Sequence, residues 1–187
     1  DHKLYSLNPV RGVGTRRFEK AKDRWIGAVL ITNDAIYVTN ADYKLYALTF
    51  TGTPKWVTPF QADQAIWGSP VSDGTNVYFG TLGRKVFAVN AQTGKQVWVQ
   101  TVDGAILGTP VLGPDNNLYV GTYAGVLVSM NTRSGEILHQ DSTSSWIWSG
   151  PAQDGSHVYV GDANGMLYAF PLTGTGQAWT QQLNGTI

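Results

Sequence analysis

The chain has 187 residues, with 13 Lys and Arg against 13 Asp and Glu and only 14% charged residues, so it lacks the cationic surface by which bulk charge holds nucleic acid or anionic membrane. It has no Cys, which excludes disulfide scaffolds, zinc–thiolate sites and cysteine nucleophiles. Its 22 Gly and 22 aromatic residues, with a longest apolar run of seven residues (25–31), fit a turn-rich β protein without direct membrane insertion.

In chain order, DHKLYSLNP (1–9) predicts one strand and RRFEK (16–20) a second, the closing strands of an incomplete unit. A full unit follows and then recurs. Its mark is a Tyr in a β-branched run, at Tyr37, Tyr78, Tyr119 and Tyr159, with spacings of 41, 41 and 40. The runs read AIYVTN, NVYFGT, NLYVGT and HVYVGD. Upstream of each, a small residue (Gly27, Gly68, Gly108, Ser149) opens an earlier strand, and Pro70, Pro110 and Pro151 follow in three copies. Downstream lie KLYALTF, KVFAVNA, VLVSMNT and MLYAFPL, then a Gly-bearing turn at Gly52, Gly94, Gly135 and Gly174/Gly176. A fourth strand closes each copy on Trp56, Trp98, His139 or Trp179. Asp73-Gly74 and Asp154-Gly155 join the first two strands as tight hairpins, because Gly supplies positive φ there.

Four strands of about five residues in a repeat of about 41 define a propeller blade. One blade cannot bury both of its faces, so blades must stack about an axis. The expected fold is therefore an all-β propeller of four-stranded antiparallel blades in a single domain, 1–187. It divides into the end of a blade (1–23), blades at 24–63, 64–103, 104–144 and 145–183, and the start of another (184–187). We read this as an arc of a seven- or eight-bladed propeller whose remaining blades lie outside the chain. The alternative is a small ring closed by a composite blade from the two termini, which would lack its second strand.

The second copy, FAVNAQTGKQVWVQ (87–100), closely resembles the blade motif of the PQQ-like (quinoprotein alcohol dehydrogenase-like) propeller family, with Ala88, Thr93, Gly94 and Trp98 at its motif positions. The first copy keeps Ala47, Gly52 and Trp56; the fourth keeps Ala169 and Trp179; the third keeps only Gly135. The resemblance implies that the fourth-strand tryptophans pack on the turn of a neighbouring blade, making Trp56, Gly94, Trp98, Gly135 and Trp179 structural. The family includes eight-bladed quinone dehydrogenases, non-catalytic scaffolds such as the propeller lipoprotein of the outer-membrane β-barrel assembly machinery, and bacterial sensor domains.

A quinone dehydrogenase of this fold would hold Ca²⁺ on Glu, Asn and Asp oxygens, with an Asp base and an Arg on the quinone. Here the only glutamates are Glu19 and Glu136, and the aspartates fall in turns (Asp34, Asp73, Asp115, Asp154), where local hydrogen bonds explain them. His2, His139 and His157 are scattered, and Asp162-Ala-Asn164-Gly165 reads as a turn rather than a Ca²⁺ loop. No cofactor, metal or catalytic residue is expected. The informative irregularity is aromatic: entering the first strand, the copies read RWIG, AIWG, AILG and WIWS. This places Trp25, Trp67, Trp146 and Trp148 near one rim, either as inter-blade packing or as a rim for a peptide or sugar. Trp146 stands where Ala65 and Ala105 stand in other copies and is the best single candidate. Residues 1–24 carry a net +4 and the remainder −4, so Arg11 to Arg24 is either a solvated face or a basic loop for an acidic partner.

These readings converge on a non-catalytic interaction or sensor domain, periplasmic, extracellular or at the cell surface. A protein or peptide partner is expected, carbohydrate is possible, and nucleic acid is not expected. The alternatives are a quinone- and Ca²⁺-dependent enzyme whose active-site residues lie outside this chain, and a glycan-binding propeller.

Overall fold

Runs of Val, Tyr, Phe and Leu interrupted every five or six residues by Asn, Asp and Gly favour short antiparallel strands over helix. The computed structural model describes residues 3–7, 10–11, 14–18, 22–172, 177–183 and 185, with backbone alone at 15–17. Strands β1 (Leu4–Leu7) and β2 (Gly14–Phe18) form a two-stranded sheet. Four sheets of four strands follow, each strand pairing antiparallel with the next in chain order. Blade I holds β3 (Leu30–Ile31), β4 (Ile36–Asn40), β5 (Lys44–Leu48) and β6 (Phe60–Gln61); blade II holds β7 (Val71–Ser72), β8 (Asn76–Gly80), β9 (Lys85–Asn90) and β10 (Gln96–Thr101). Blade III holds β11 (Val111–Leu112), β12 (Asn117–Gly121), β13 (Val126–Asn131) and β14 (Ile137–Ser142); blade IV holds β15 (Ala152–Gln153), β16 (His157–Gly161), β17 (Met166–Pro171) and β18 (Trp179–Gln182). Among the described residues, no helix is long and apolar enough to cross a membrane.

Two details depart from the expected five-residue strands. Each first strand is only two residues long, and in blades II to IV Pro70, Pro110 or Pro151 stands just before it, where it cannot donate to a ladder. In blade I the fourth strand starts at Phe60, after Trp56, because Pro54 and Pro59 interrupt the pairing; a single bridge, Leu48 to Pro54, remains. Trp98, by contrast, lies inside β10 opposite Ala88.

The middle strands are buried on both faces, which is why they read as continuous apolar runs. In β8, Val77 and Phe79 face blade I and join Tyr37, Leu45, Ala47 and Phe87. Tyr78, between them, faces blade III and joins Trp98, Leu118, Val120 and Met130. Tyr119 and Leu127 repeat this against Val158, Val160 and Phe170 of blade IV. The core is thus a series of inter-blade layers rather than one centre.

At the inner edge the backbones touch. A Cβ on Gly68 would lie 2.3 Å from the carbonyl oxygen of Gly108, so only glycine permits this approach. Hydrogen bonds run along the same row: Ala28 N–H donates to Ser69 Oγ (2.6 Å), and Ser69 N–H to Thr109 Oγ1 (3.0 Å).

Phe18 and Leu4 pack the β1–β2 hairpin on Tyr46 and Leu48 of blade I. That hairpin and the β15–β18 sheet are separate, so the described strands form a partial propeller and build no composite blade. Of the 184–187 segment assigned to a further blade, only residue 185 is described, and Gly174 and Gly176 also lie outside the described residues.

Candidate functional site: an aromatic platform on the loop face

The antiparallel order puts the turns joining second to third strands on the same face as the loops joining one blade to the next. The turns between first and second strands, and between third and fourth, lie on the opposite face. Carboxylates on that opposite face do structural work. Asp73 Oδ1 accepts from the N–H groups of Thr75 and Asn76 (both 2.8 Å), while Oδ2 accepts from Tyr78 Oη (2.7 Å). Asp115 with Tyr119 (2.6 Å) and Asp154 with Tyr159 (2.6 Å) repeat the pairing. Burial and the Asp73 carboxylate push the Tyr78 phenol up to about 12. Tyr78 and Tyr119 are therefore both inter-blade filler and the anchors of their hairpins.

The tryptophans of the fourth segments lock the next blade. Trp56 Nε1 donates to the Ala91 carbonyl (3.1 Å), which also accepts from Tyr37 Oη (3.0 Å). Trp98 Nε1 donates to the Thr132 carbonyl (2.8 Å), which also accepts from Tyr78 Oη (3.3 Å). Each indole lies flat on a turn glycine: a Cβ on Gly94 or Gly135 would stand 2.7 Å from the ring. Trp179 occupies the same place in blade IV, against Tyr159 (5.9 Å), and is 43% exposed where Trp98 is 8% exposed.

The four rim tryptophans go to different surroundings. Trp25 is half-buried in the layer between the hairpin and blade I, with its ring 5.4 Å from Tyr46 and 6.2 Å from Phe18, so it fills an inter-blade gap. Trp67 is half-buried on blade II. Trp146 and Trp148 are 45% and 55% exposed, and the structure brings them together. Period two explains the pair: in Trp146-Ile147-Trp148, Ile147 is fully buried and both indoles turn outward.

Sequence reasoning missed the third member, Tyr123, in the turn between β12 and β13. Its ring stacks on Trp146 (4.7 Å, 26°) and is tilted against Trp148 (6.3 Å, 60°). The only cue was its size, since Ala41, Leu82 and Ala163 stand in the same turn elsewhere. Backbone hydrogen bonds fix both loops: Tyr123 N–H to the Ala105 carbonyl (2.8 Å), Ile147 N–H to Thr122 (3.1 Å), Ala163 N–H to Trp146 (3.0 Å) and Thr143 N–H to Gly125 (2.8 Å). The result is an exposed aromatic platform on rigid supports.

Charge near the platform is sparse and specific. Burial pushes the Asp162 carboxyl up, but donors from Ser144, Met166, Tyr168 and Asn164 outweigh it and hold the group below the usual range. Asp162 Oδ2 accepts from Ser144 Oγ at 2.6 Å and from Tyr168 Oη at 3.1 Å. Asp103 is exposed in the loop entering blade III. The residues at the axial mouth do not fit a quinone with its Ca²⁺: the row is Ile26, Trp67, Leu107 and Trp148, one residue before Gly27, Gly68, Gly108 and Ser149. Among the described residues, no three His, Asp or Glu side chains gather into a group suited to a metal ion.

Antiparallel four-stranded blades, the first two each locked to the next by a tryptophan on a turn glycine, define a β-propeller of the PQQ-repeat class. The chain belongs to the family described as outer membrane protein assembly factor BamB, whose profile matches residues 12–181. It is 32% identical over 112 residues to the outer membrane protein assembly factor BamB of Legionella pneumophila (strain Paris), covering 56% of this chain and 29% of that protein. It is 39% identical over 64 residues to the lanthanide-dependent methanol dehydrogenase of Methylacidiphilum fumariolicum (strain SolV), covering 33% of this chain and 10% of the enzyme. The crystal structure of BamB from Moraxella catarrhalis superposes with a TM-score of 0.78 at 18% identity, over 92% of this chain and 57% of that one, which shows the shared fold. The chain thus spans less than a third of either curated relative's length.

Proposed function

We propose that this chain is a non-catalytic propeller scaffold of the bacterial envelope, acting outside the cytoplasm and docking a protein partner during outer-membrane protein assembly. The carrying observation is the family profile match across 12–181. The geometry supports it: the exposed aromatic groups cluster on a loop face held by backbone hydrogen bonds, as recognition surfaces on rigid scaffolds are. Asp73, Asp115 and Asp154 are engaged in turns, and Asp162 in a buried network. The match to the methanol dehydrogenase covers a tenth of that enzyme, a stretch of about one and a half blades.

Photocrosslinking tests the reading. Benzoylphenylalanine placed at position 146 is expected to capture an outer-membrane assembly component in cells. The same group at position 133, on the opposite face, is expected not to. Capture from position 133 alone, or binding of pyrroloquinoline quinone with Ca²⁺ by absorbance titration, would overturn the proposal.

A further inference from the structure

Resting on that scaffold reading, we infer that the Tyr123–Trp146–Trp148 platform and Asp103 form the docking point for a cationic, arginine-bearing segment of the protein partner. Four features of the molecule carry this.

First, blades III and IV are acidic. From residue 96 to the end the charged side chains are Asp103, Asp115, Glu136, Asp141, Asp154 and Asp162 against Arg133. Arg133 lies in the turn between β13 and β14, on the face away from the platform. Blades III and IV thus put no cationic side chain on the platform face; Arg84 of blade II is on that face, in the turn between β8 and β9, its carbonyl accepting from Val102 N–H (2.9 Å).

Second, the ring faces themselves attract cations. The Tyr123 phenol, with the Trp146 indole centred 4.7 Å and the Trp148 indole 6.3 Å from it, presents negative quadrupole faces, and Trp is the strongest partner of this kind. A guanidinium is flat, weakly hydrated and able to stack on such a face while donating to a carboxylate.

Third, a carboxylate in the loop adjoining the Tyr123 turn is uncommitted to the role its counterpart plays. In blade II, Asp63 accepts from Thr81 Oγ1 (3.0 Å) and pairs with Lys85 (3.4 Å). In blade III the matching threonine, Thr122, donates instead to the Val126 carbonyl (3.1 Å), and the matching aspartate, Asp103, is exposed. Its neighbour Gly104 packs against Ala124, the residue after Tyr123.

Fourth, the polar groups that a sugar would need are already used. Ser144 Oγ is bonded to Asp162, and Asn164 Nδ2 to Ser144 Oγ (3.3 Å).

The test titrates the full chain with the peptide acetyl-GRGLRG-amide, with the same peptide carrying neutral citrulline for arginine, and with cellohexaose and chitohexaose. Tryptophan fluorescence and calorimetry are the readouts. The arginine peptide is expected to bind, the citrulline peptide about tenfold more weakly, and the sugars not at all. Trp146→Ala and Asp103→Asn are each expected to weaken the arginine peptide about three- to tenfold, and added salt to weaken it further. An unchanged unfolding midpoint in both variants shows that the fold is intact. Equal binding of the citrulline peptide, insensitivity to both variants, absence of arginine-peptide binding, or preferred binding of a sugar would each overturn the inference. If crosslinks from position 146 still report an assembly partner while the arginine peptide fails, the scaffold reading stands and the cationic docking falls.

Discussion

Trp98→Ala measures how far this fold depends on inter-blade locks. Trp98 is 8% exposed, lies on Gly135, and contacts the Tyr78 ring at 5.8 Å. Deleting a buried indole costs about 3–5 kcal/mol through lost transfer free energy and the cavity left behind. The Thr132 carbonyl keeps its bond from Tyr78, so the lost N–H···O adds only about 1 kcal/mol to that range's lower end. Trp98→Phe keeps most of the ring and is expected to cost about 1–2 kcal/mol. Trp179→Ala removes the same residue type from the same repeat position, yet 43% of it is already in water, so about 1–2 kcal/mol is expected. Urea unfolding followed by far-UV circular dichroism gives the differences, with coincident fluorescence transitions showing that the stack unfolds as one unit. A Trp98→Ala variant within about 1 kcal/mol of wild type, or a Trp179→Ala variant equally damaged, would refute the reasoning.

Gly68→Ala would push a methyl to 2.3 Å from the Gly108 carbonyl oxygen, so a loss above about 3 kcal/mol and a lower melting temperature are expected; a neutral outcome would show that the inner row can relax. Burial and the neighbouring carboxylates raise the phenols of Tyr78, to about 12, and of Tyr46 and Tyr119. Because these folded-state values exceed the unfolded value near 10, their stabilisation is complete below about pH 10 and lost as pH climbs toward about 12. Phenolate absorbance at 295 nm should therefore rise cooperatively with unfolding, and smooth titration of all tyrosines near pH 10 would contradict the packing.

The repeat was legible because each blade buries both faces of its middle strands, leaving apolar runs such as NVYFG and NLYVG at a constant spacing. Trp146 and Trp148 stood among four rim tryptophans whose packing or exposure the sequence left open; what turns both outward is local alternation about the buried Ile147. Tyr123 was not legible, because its stack on Trp146 depends on two loops 23 residues apart being brought together by backbone hydrogen bonds. Trp25 looked equivalent to the other rim tryptophans, yet it aligns with the buried Ile66, Ile106 and Ile147 and fills the corresponding gap beside Phe18. The late fourth strand of blade I followed from Pro54 and Pro59, whose effect on pairing depends on which ladder positions they occupy.

One pair of positions shows how the repeat tolerates change while keeping its chemistry. In blade II the entering loop supplies the acid, Asp63, and the end of the second strand supplies the hydroxyl, Thr81. In blade IV the roles are exchanged: the loop supplies Ser144 and the strand end supplies Asp162, fully buried and also taking N–H groups from Asn164 and Met166 (both 3.0 Å). Asp162→Thr alone leaves Ser144 and Tyr168 without their acceptor, and a loss of about 2–4 kcal/mol is expected. Ser144→Asp alone sets a second carboxylate beside a buried one, which is worse still. The double variant rebuilds the blade II arrangement and is expected to recover at least half of the summed losses, a coupling of about 2–3 kcal/mol in a double-mutant cycle. Since the folded-state Asp162 carboxyl is held low, its stabilisation is present above about pH 4 and lost on further acidification. Asp162→Thr should therefore also flatten that acid limb, and strictly additive single losses would show that the two positions do not act as one pair.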